Sequence, residues 1–324
     1  MRRFIVTRLT ETIATLLLGS LLCFALIRLL PGDPAVAMYG EQFLRLSEAD
    51  QQRITENLGL HEPFPLQYAK WLGNTVQGDL GHSYSNGEPV KVIIGRAAGP
   101  TILLMLSATG MIVVISLVLG IITGLRRHSA IDHAVTIGSF FLMSIPTFWL
   151  ALMLILVCSV YLGILPSSGI GHDGLLDGLK HLLMPSLVLA LSHIGYYIRI
   201  LRNHLALTVN KDFIWAMKVR GLPPKTIVFR HLLPNVSVPF VSYVGMSFTL
   251  TLGGSVVIES IFSWPGLGRL VLDSAIGHDY PVIMATILLT MSTVVIGSFL
   301  IDLVCAWMDP RIRRSIFTNE VIAK

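Results

Sequence analysis

Charged side chains are scarce in this sequence. They make up 13% of 324 residues, where soluble globular chains carry about 25%. A deficit of that size excludes a solvated globular surface as the chain's main environment. Cysteine is scarce as well. Cys23, Cys158 and Cys305 all fall inside apolar runs. They read as small buried hydrophobes, not as a disulfide framework or a metal site, and they say nothing about redox compartment. No G-x-x-x-x-G-K-[ST] loop occurs, so ATP binding by that route is excluded. The motifs H-E-x-x-H, G-x-S-x-G and C-x-x-C are missing too. His61-Glu62 is followed by Pro63, which spoils a zinc-binding helix there. The histidines are dispersed, and His128 and His133 sit in a short polar segment where surface histidines need no metal to explain them. Internal repeats and low-complexity segments are likewise missing.

What the chain has instead is apolar length. Hydrophobic residues are 53% of the sequence and the mean hydropathy is +0.71. About 20 consecutive apolar residues cross a bilayer. Six stretches meet that length: 10–30, 101–125, 135–163, 183–201, 236–258 and 282–307. Each is expected to be helical, because backbone groups in lipid have no water to bond. The third is long enough to tilt or to be broken at Pro146. The expected fold is therefore an all-α membrane protein, a single transmembrane domain over 1–324.

Lysine and arginine orient the spans. Arg2, Arg3 and Arg8 precede the first, and Arg126 and Arg127 follow the second. Arg199, Arg202, Lys211, Lys218, Arg220, Lys225 and Arg230 lie around the connection between the fourth and fifth. Arg311, Arg313, Arg314 and Lys324 follow the sixth. Six crossings put all of these on one side, the cytoplasm, with both termini there. The opposite side receives a large loop at 31–100, richer in acids than bases, then 164–182 and 259–281. A helix is expected near Glu48–Leu58 in the large loop. A competing reading takes residues 1–37 as a signal peptide ending in Ala35-Val36-Ala37. Cleavage would leave five spans and strand one basic end outside, so the first helix is read as uncleaved.

Three charges fall within or beside spans: Glu11, Arg28 and Asp302. Arg28 can snorkel to the outer headgroups, and Glu11 is close enough to the inner surface to do the same or to pair. Asp302, about one turn inside the end of the sixth span, is expected to pair with a basic side chain near the inner surface. A proton relay needs several acids at mid-depth, and the middles of these spans have none. An ion-coupled secondary transporter using Asp302 or Glu11 is the remote alternative.

One polar segment interrupts the apolar pattern: DFIWAMKVRGLPPKTIVFRHLLPN, residues 212–235, within a cytoplasmic connection at 202–235. It reads as helix, break, helix. Asp212 is placed to cap a short helix through Arg220, and Gly221 suits a left-handed position after its end. Pro223 and Pro224 forbid continuation but suit the first turn of a second helix, expected to stop at Pro234. Its mixed basic and apolar surface fits an anchor on anionic lipid, a solvated connector, or a docking element for a cytosolic partner.

This segment resembles the EAA loop of ABC importer permeases. Trp215-Ala216-Met217 stands at the Glu-Ala-Ala position, Gly221 at the glycine, and Leu232-Leu233-Pro234 at the ending. The glutamate is missing, as it commonly is in the peptide and nickel branch. Further stretches are similar to that branch: RLLPGDPA at 28–35, LGLHEPFPLQYAKWL at 58–72, GDLGHSY at 78–84, SIPTFWLALML at 144–154, HLLMPSLVLAL at 181–191, ESIFSWPGLGRLVLDSAIGHDYPVI at 259–283 and DPRIRR at 309–314. They run in order along essentially the whole chain.

The resemblance implies a type I ABC importer permease, the first of a permease pair, in a bacterial inner membrane. It implies partners: a second permease, two ATPase subunits that hold ATP and magnesium, and an extracytoplasmic binding protein. No catalytic residue, metal or cofactor is implied in this chain. Asp212, Trp215, Ala216, Met217, Arg220, Gly221, Leu222 and Pro234 would belong to the ATPase-coupling loop. Glu259, Trp264, Pro265, Gly266, Gly268 and Arg269 would lie beside the outer gate and the docked binding protein, although Trp264 alone also reads as a headgroup anchor. The substrate would be a di- or oligopeptide, with nickel or a metal chelate as the alternative.

Overall fold

The computed structural model describes residues 2–29, 46–57 and 62–308, with positions 36 and 43. Twelve helices account for most of them: α1 (Arg2–Leu29), α2 (Glu48–Asn57), α3 (Phe64–Val76), α4 (Val90–Leu125), α5 (Ala130–Ser144), α6 (Thr147–Leu154), α7 (Leu175–Val209), α8 (Asp212–Val219), α9 (Pro224–Thr226), α10 (Leu233–Ile261), α11 (Leu267–Ile276) and α12 (Tyr280–Met308). Two π-helical segments, Ile155–Tyr161 and Ile227–Leu232, continue α6 and α9. Among the described residues the extended pairing is a single bridge between His82 and Pro89. The helix expected near Glu48–Leu58 is α2, started by Ser47, whose Oγ accepts the Asp50 amide at 3.2 Å. Ala35, Ala37 and the stretch 309–314 lie outside the described residues.

Ile5–Leu26, Val90–Leu125, Leu175–Val209 and Tyr280–Met308 are long and apolar enough to cross a bilayer. Ala130–Ser144 and Thr147–Tyr161 form a pair bent by 101°, a fifth span if the pair counts as one. The stretch 236–258 lies within α10, a helix of 29 residues. Helices α4 and α7 run well past the expected 101–125 and 183–201, because apolar runs mark lipid depth and not helix ends. Pro100 and Pro185 lie inside them. Membrane helices tolerate such prolines where neighbours re-satisfy the backbone.

The bend at Pro146 has a local cause. Proline's ring disfavours the helical region for the residue before it. Ile145 is accordingly extended, with φ −80° and ψ 126°. Pro146 then opens α6.

The described chain divides into two compact units. One comprises Met1–Leu9, Ile102–Trp264 and Ile296–Lys324; the other, Thr10–Thr101 and Pro265–Val295. In the first unit α7 is the central helix. Its residues Val188 and Leu189 pack with Leu104, Leu150, Ile258 and Phe262. Further along, Tyr197, Leu201 and Leu205 pack with Ile112, Val236 and Phe240. Close approach depends on glycine. A Cβ on Gly195 would lie 2.6 Å from the Ser139 carbonyl oxygen of α5. Gly120 and Gly124 of α4 admit Leu201 and Leu205 of α7, whose side chains would be 2.9 Å and 2.8 Å from such a Cβ. This is the small-residue packing that holds membrane helices together.

The second unit is built on Val90, Ile94, Leu267, Val282 and Ala285. In it α3 lies on α1. Phe24 meets the rings of Phe64, Tyr68 and Trp71 at 5.4–5.6 Å, and Ser20 Oγ and the Tyr68 hydroxyl are 2.8 Å apart.

Candidate functional site

The connection between α7 and α10 is folded by its own sequence. Lys211 holds the cap position and is extended, at φ −77° and ψ 146°. Asp212 is thus the first helical residue and not the cap expected of it; there its charge still favours the helix N-terminus. Helix α8 ends at Val219 with Arg220 as the C-cap. Gly221 follows at φ +72°, in the left-handed region as expected. Its amide donates to the Lys218 carbonyl at 3.0 Å, and the Leu222 amide donates to the Met217 carbonyl at 3.2 Å. These two bonds are a complete Schellman motif, and the contact it favours is between the apolar residues at its two ends. Those residues, Met217 and Leu222, both pack on the first unit's core.

Pro234 does not end the second helix. The chain passes from α9 through the π-helical segment into α10 without a break. Pro234 lies just after the π-helical turn, inside that continuous helical run.

Two faces result. Ile214 and Ile227 are buried, and with Met217 and Leu222 they fasten the segment to α7 and α10. Facing away are Trp215, 70% exposed, with Val219 and Phe229. Ala216, Lys218, Arg220, Lys225 and Arg230 share that exposure. The expected coupling residues therefore divide: Met217 and Leu222 hold the loop, while Asp212, Trp215, Ala216, Arg220, Gly221 and Pro234 are on its surface.

Helices α5 and α7 are joined by a charge pair that sequence reasoning missed. Arg202 of α7 bonds Asp132 of α5 in two places, Nε to Oδ1 at 2.5 Å and Nη2 to Oδ2 at 2.6 Å. Asp132 is 1% exposed and also accepts the His128 amide at 2.9 Å. Only the local cap was signalled: Ser129-Ala130-Ile131-Asp132 has capping-box spacing, which does not point to Arg202. Ser129 Oγ does accept the Asp132 amide. Asp302 likewise finds a base, with Arg8 Nε 3.4 Å from its Oδ2.

The residues expected on the outer side belong to different units. In the first, Glu259 and Trp264 are fully buried, and the Trp264 amide donates to the Glu259 carbonyl at 2.8 Å. Trp264 is therefore a core residue, not a headgroup anchor. In the second unit, Pro265, Gly266 and Arg269 line a cavity of about 370 Å³ with Ile93, Arg96 and Asp273. Gly268 is buried. Arg269 Nε lies 3.5 Å from Asp273 Oδ2, and Thr101 Oγ accepts the Leu267 amide at 2.7 Å. Nearby Asp279, 4% exposed, accepts the Ser83 hydroxyl and the Tyr84 amide, the latter at 3.1 Å. The stretches 78–84 and 259–283, far apart in sequence, are thus joined by one carboxylate.

Among the described residues no cluster of three His, Cys, Asp or Glu is arranged to hold a metal ion. Residues 116–314 match the family described as binding-protein-dependent transport system inner membrane component, and residues 1–105 match the corresponding N-terminal family. The oligopeptide transport system permease protein AppB of Bacillus subtilis is 38% identical over 96% of this chain and 99% of its own length. A putative peptide permease protein of Brucella suis is 36% identical over 97% of this chain and 99% of its own. An inward-facing form of the MetNI methionine ABC transporter shares the fold, with a TM-score of 0.56 at 20% identity, covering 67% of this chain and 96% of that one. The chain therefore belongs to the inner-membrane permeases of binding-protein-dependent ABC importers: it is a multi-pass bacterial transport subunit and not an enzyme.

Proposed function

We propose that the chain forms half of the route for di- or oligopeptides in an ATP-driven importer. A second permease would supply the other half and a binding protein would deliver the peptide. The observation that carries the substrate is the full-length similarity to permeases named for oligopeptide and peptide transport. Coupling is assigned to 212–235. Its inward face is fixed to α7 and α10, and its outward face offers Trp215, Val219 and Phe229 among bases. An amphipathic helix of this kind seats in a groove of a partner, here an ATPase subunit. Because α8 is fastened at both ends to long helices, a push on it is transmitted as rigid-body motion. The residues of 259–269 are assigned to the outer side, by the gate and the bound binding protein.

The topology that fits these roles has six crossings with both termini cytoplasmic. The Arg8–Asp302 pair supports it, since the start of the first span and the end of the last then lie at one level.

Uptake tests the substrate. Cells lacking the gene are compared with complemented cells, offered a labelled dipeptide, then nickel with and without a histidine-like chelator. Loss and recovery of dipeptide uptake is the expected result. Loss of nickel uptake alone would replace the peptide reading with metal-chelate import.

A further inference from the structure

We infer that one polar face of α7, centred on Tyr196 and Asn203 and flanked by Tyr243 and His204, lines the water-filled route and contacts the peptide in transit. This rests on the peptide-importer reading above and adds the residues that form the route.

The face is defined by what the fold leaves uncovered. Helix α7 is 35 residues long, about 52 Å at 1.5 Å per residue, and its apolar side is buried in the unit's core. Tyr196 and Asn203 are exposed, with Leu207 one turn beyond them toward the loop, while His193, Arg199, Ile200, His204 and Tyr243 are half-buried. At 3.6 residues per turn, Asn203 falls roughly 20° from Tyr196 around the helix, with His193 and Arg199 roughly 60° to either side. The structure agrees with that wheel. On one flank the Arg199 guanidinium lies 4.5 Å from the Phe140 ring of α5. On the other, Tyr243 of α10 lies 6.2 Å from Tyr196 and 6.4 Å from His204, ring to ring.

Three surroundings are open to such a face. Lipid is excluded by cost: hydroxyl, imidazole, amide and guanidinium groups facing hydrocarbon would lose their water without replacement. A permanent contact with another permease would favour small residues that let backbones approach. Here the small residues, Gly120, Gly124 and Gly195, are used inside the chain, and the uncovered face carries large rings. Water is the surroundings that remain. A wet, polar, aromatic wall with a cation suits a peptide, whose amides pair with hydroxyl and amide groups and whose terminal carboxylate suits Arg199.

The test uses the whole importer, with its partner chains, in sealed vesicles. Peptide uptake by the unmodified assembly is measured first; no uptake there sinks the peptide reading, and whether the face is wet is then read from labelling alone. Tyr196→Cys, Ile200→Cys and Asn203→Cys are each treated with a charged, water-soluble maleimide. Val114→Cys, on an apolar exposed position of α4, serves as the lipid-facing comparison, and the unaltered chain gives the background of its three native cysteines. The three α7 positions should label at least tenfold faster than Val114→Cys. A bulky adduct on them should cut uptake tenfold or more, with no such cut at Val114→Cys. Should Tyr196→Cys not assemble, the Ile200 and Asn203 variants decide alone. Absence of labelling would put the face against lipid or a partner and overturn the inference. Labelling without loss of uptake would make it a water crevice off the route and overturn it equally.

Discussion

At the scale of single residues, two positions carry more than their size suggests. Gly221 stands at φ +72°, where an L side chain costs about 1–2 kcal/mol. Asparagine tolerates that region better than alanine, and alanine better than a β-branched residue. Transport should therefore fall in the order Gly221, Gly221→Asn, Gly221→Ala, Gly221→Val. ATP hydrolysis by the assembled importer should fall less than uptake does. An effect independent of side-chain shape would show that the left-handed turn is not what couples the loop. The second position is Arg202. Removing one partner of a buried ion pair costs about 3–5 kcal/mol because the other charge stays buried alone. Arg202→Ala should lower the unfolding midpoint of the purified protein far more than Lys225→Ala, which touches an exposed base. Arg202→Lys should rescue only part, since an ammonium cannot reproduce the two-point grip on Asp132. Gly221 was readable from sequence because the glycine is followed by two prolines. The Asp132–Arg202 pair was not, because pairing across 70 residues of sequence depends on how α5 and α7 pack.

Elements were legible where a local rule sets them. The break before α6 follows from Pro146, and the helix at Glu48 from the capping serine before it. Pro234 misled because the chain passes it without stopping: the turn before it, Ile227–Leu232, is π-helical rather than broken, and α10 continues beyond it. Trp264 misled for another reason. Its place beside Pro265 and Gly266 suggests an interfacial turn, but whether an indole points to lipid or to core is decided by distant residues such as Leu104 and Leu182. Packing between elements gives a sharper prediction. Gly195→Val must push α7 away from the Ser139 carbonyl, a backbone atom that cannot rotate aside. Overpacking of that kind costs about 1–3 kcal/mol. Gly110→Ala, on exposed α4 surface with nothing within 4 Å of the new methyl, should be neutral or slightly stabilising. Thermal unfolding of the two variants side by side checks this. Equal losses would mean that α5 and α7 are not as close as the Gly195–Ser139 contact requires.

At the scale of the whole chain, the six crossings proposed above rest on where charge would sit. Arg126 and Arg127 precede α5, and the bases of 211–230 follow α7. If both groups are cytoplasmic, an even number of crossings lies between them. Helix α7 is long and apolar enough to cross the roughly 30 Å hydrocarbon core. The bent pair α5–α6 must then cross as well, despite its 101° angle. The same parity applies beyond the loop. Asp302 of α12 pairs with Arg8, near the start of α1; with Arg8 cytoplasmic the last span would return to that side, and α10 would have to cross to make the return even. On the proposed topology the crossings number six; a re-entrant α5–α6 would give five and separate Arg8 from Asp302 by the bilayer. Cysteines placed one at a time at Asn86, Arg127, Ser168, Lys218 and His278 should sort by a membrane-impermeant thiol reagent added outside right-side-out vesicles. Asn86, Ser168 and His278 should react before the membrane is opened, and Arg127 and Lys218 only afterwards. Reaction at Lys218→Cys in intact vesicles would place the loop with α8 outside, beyond any ATPase, and would end the coupling assignment along with the six-span topology.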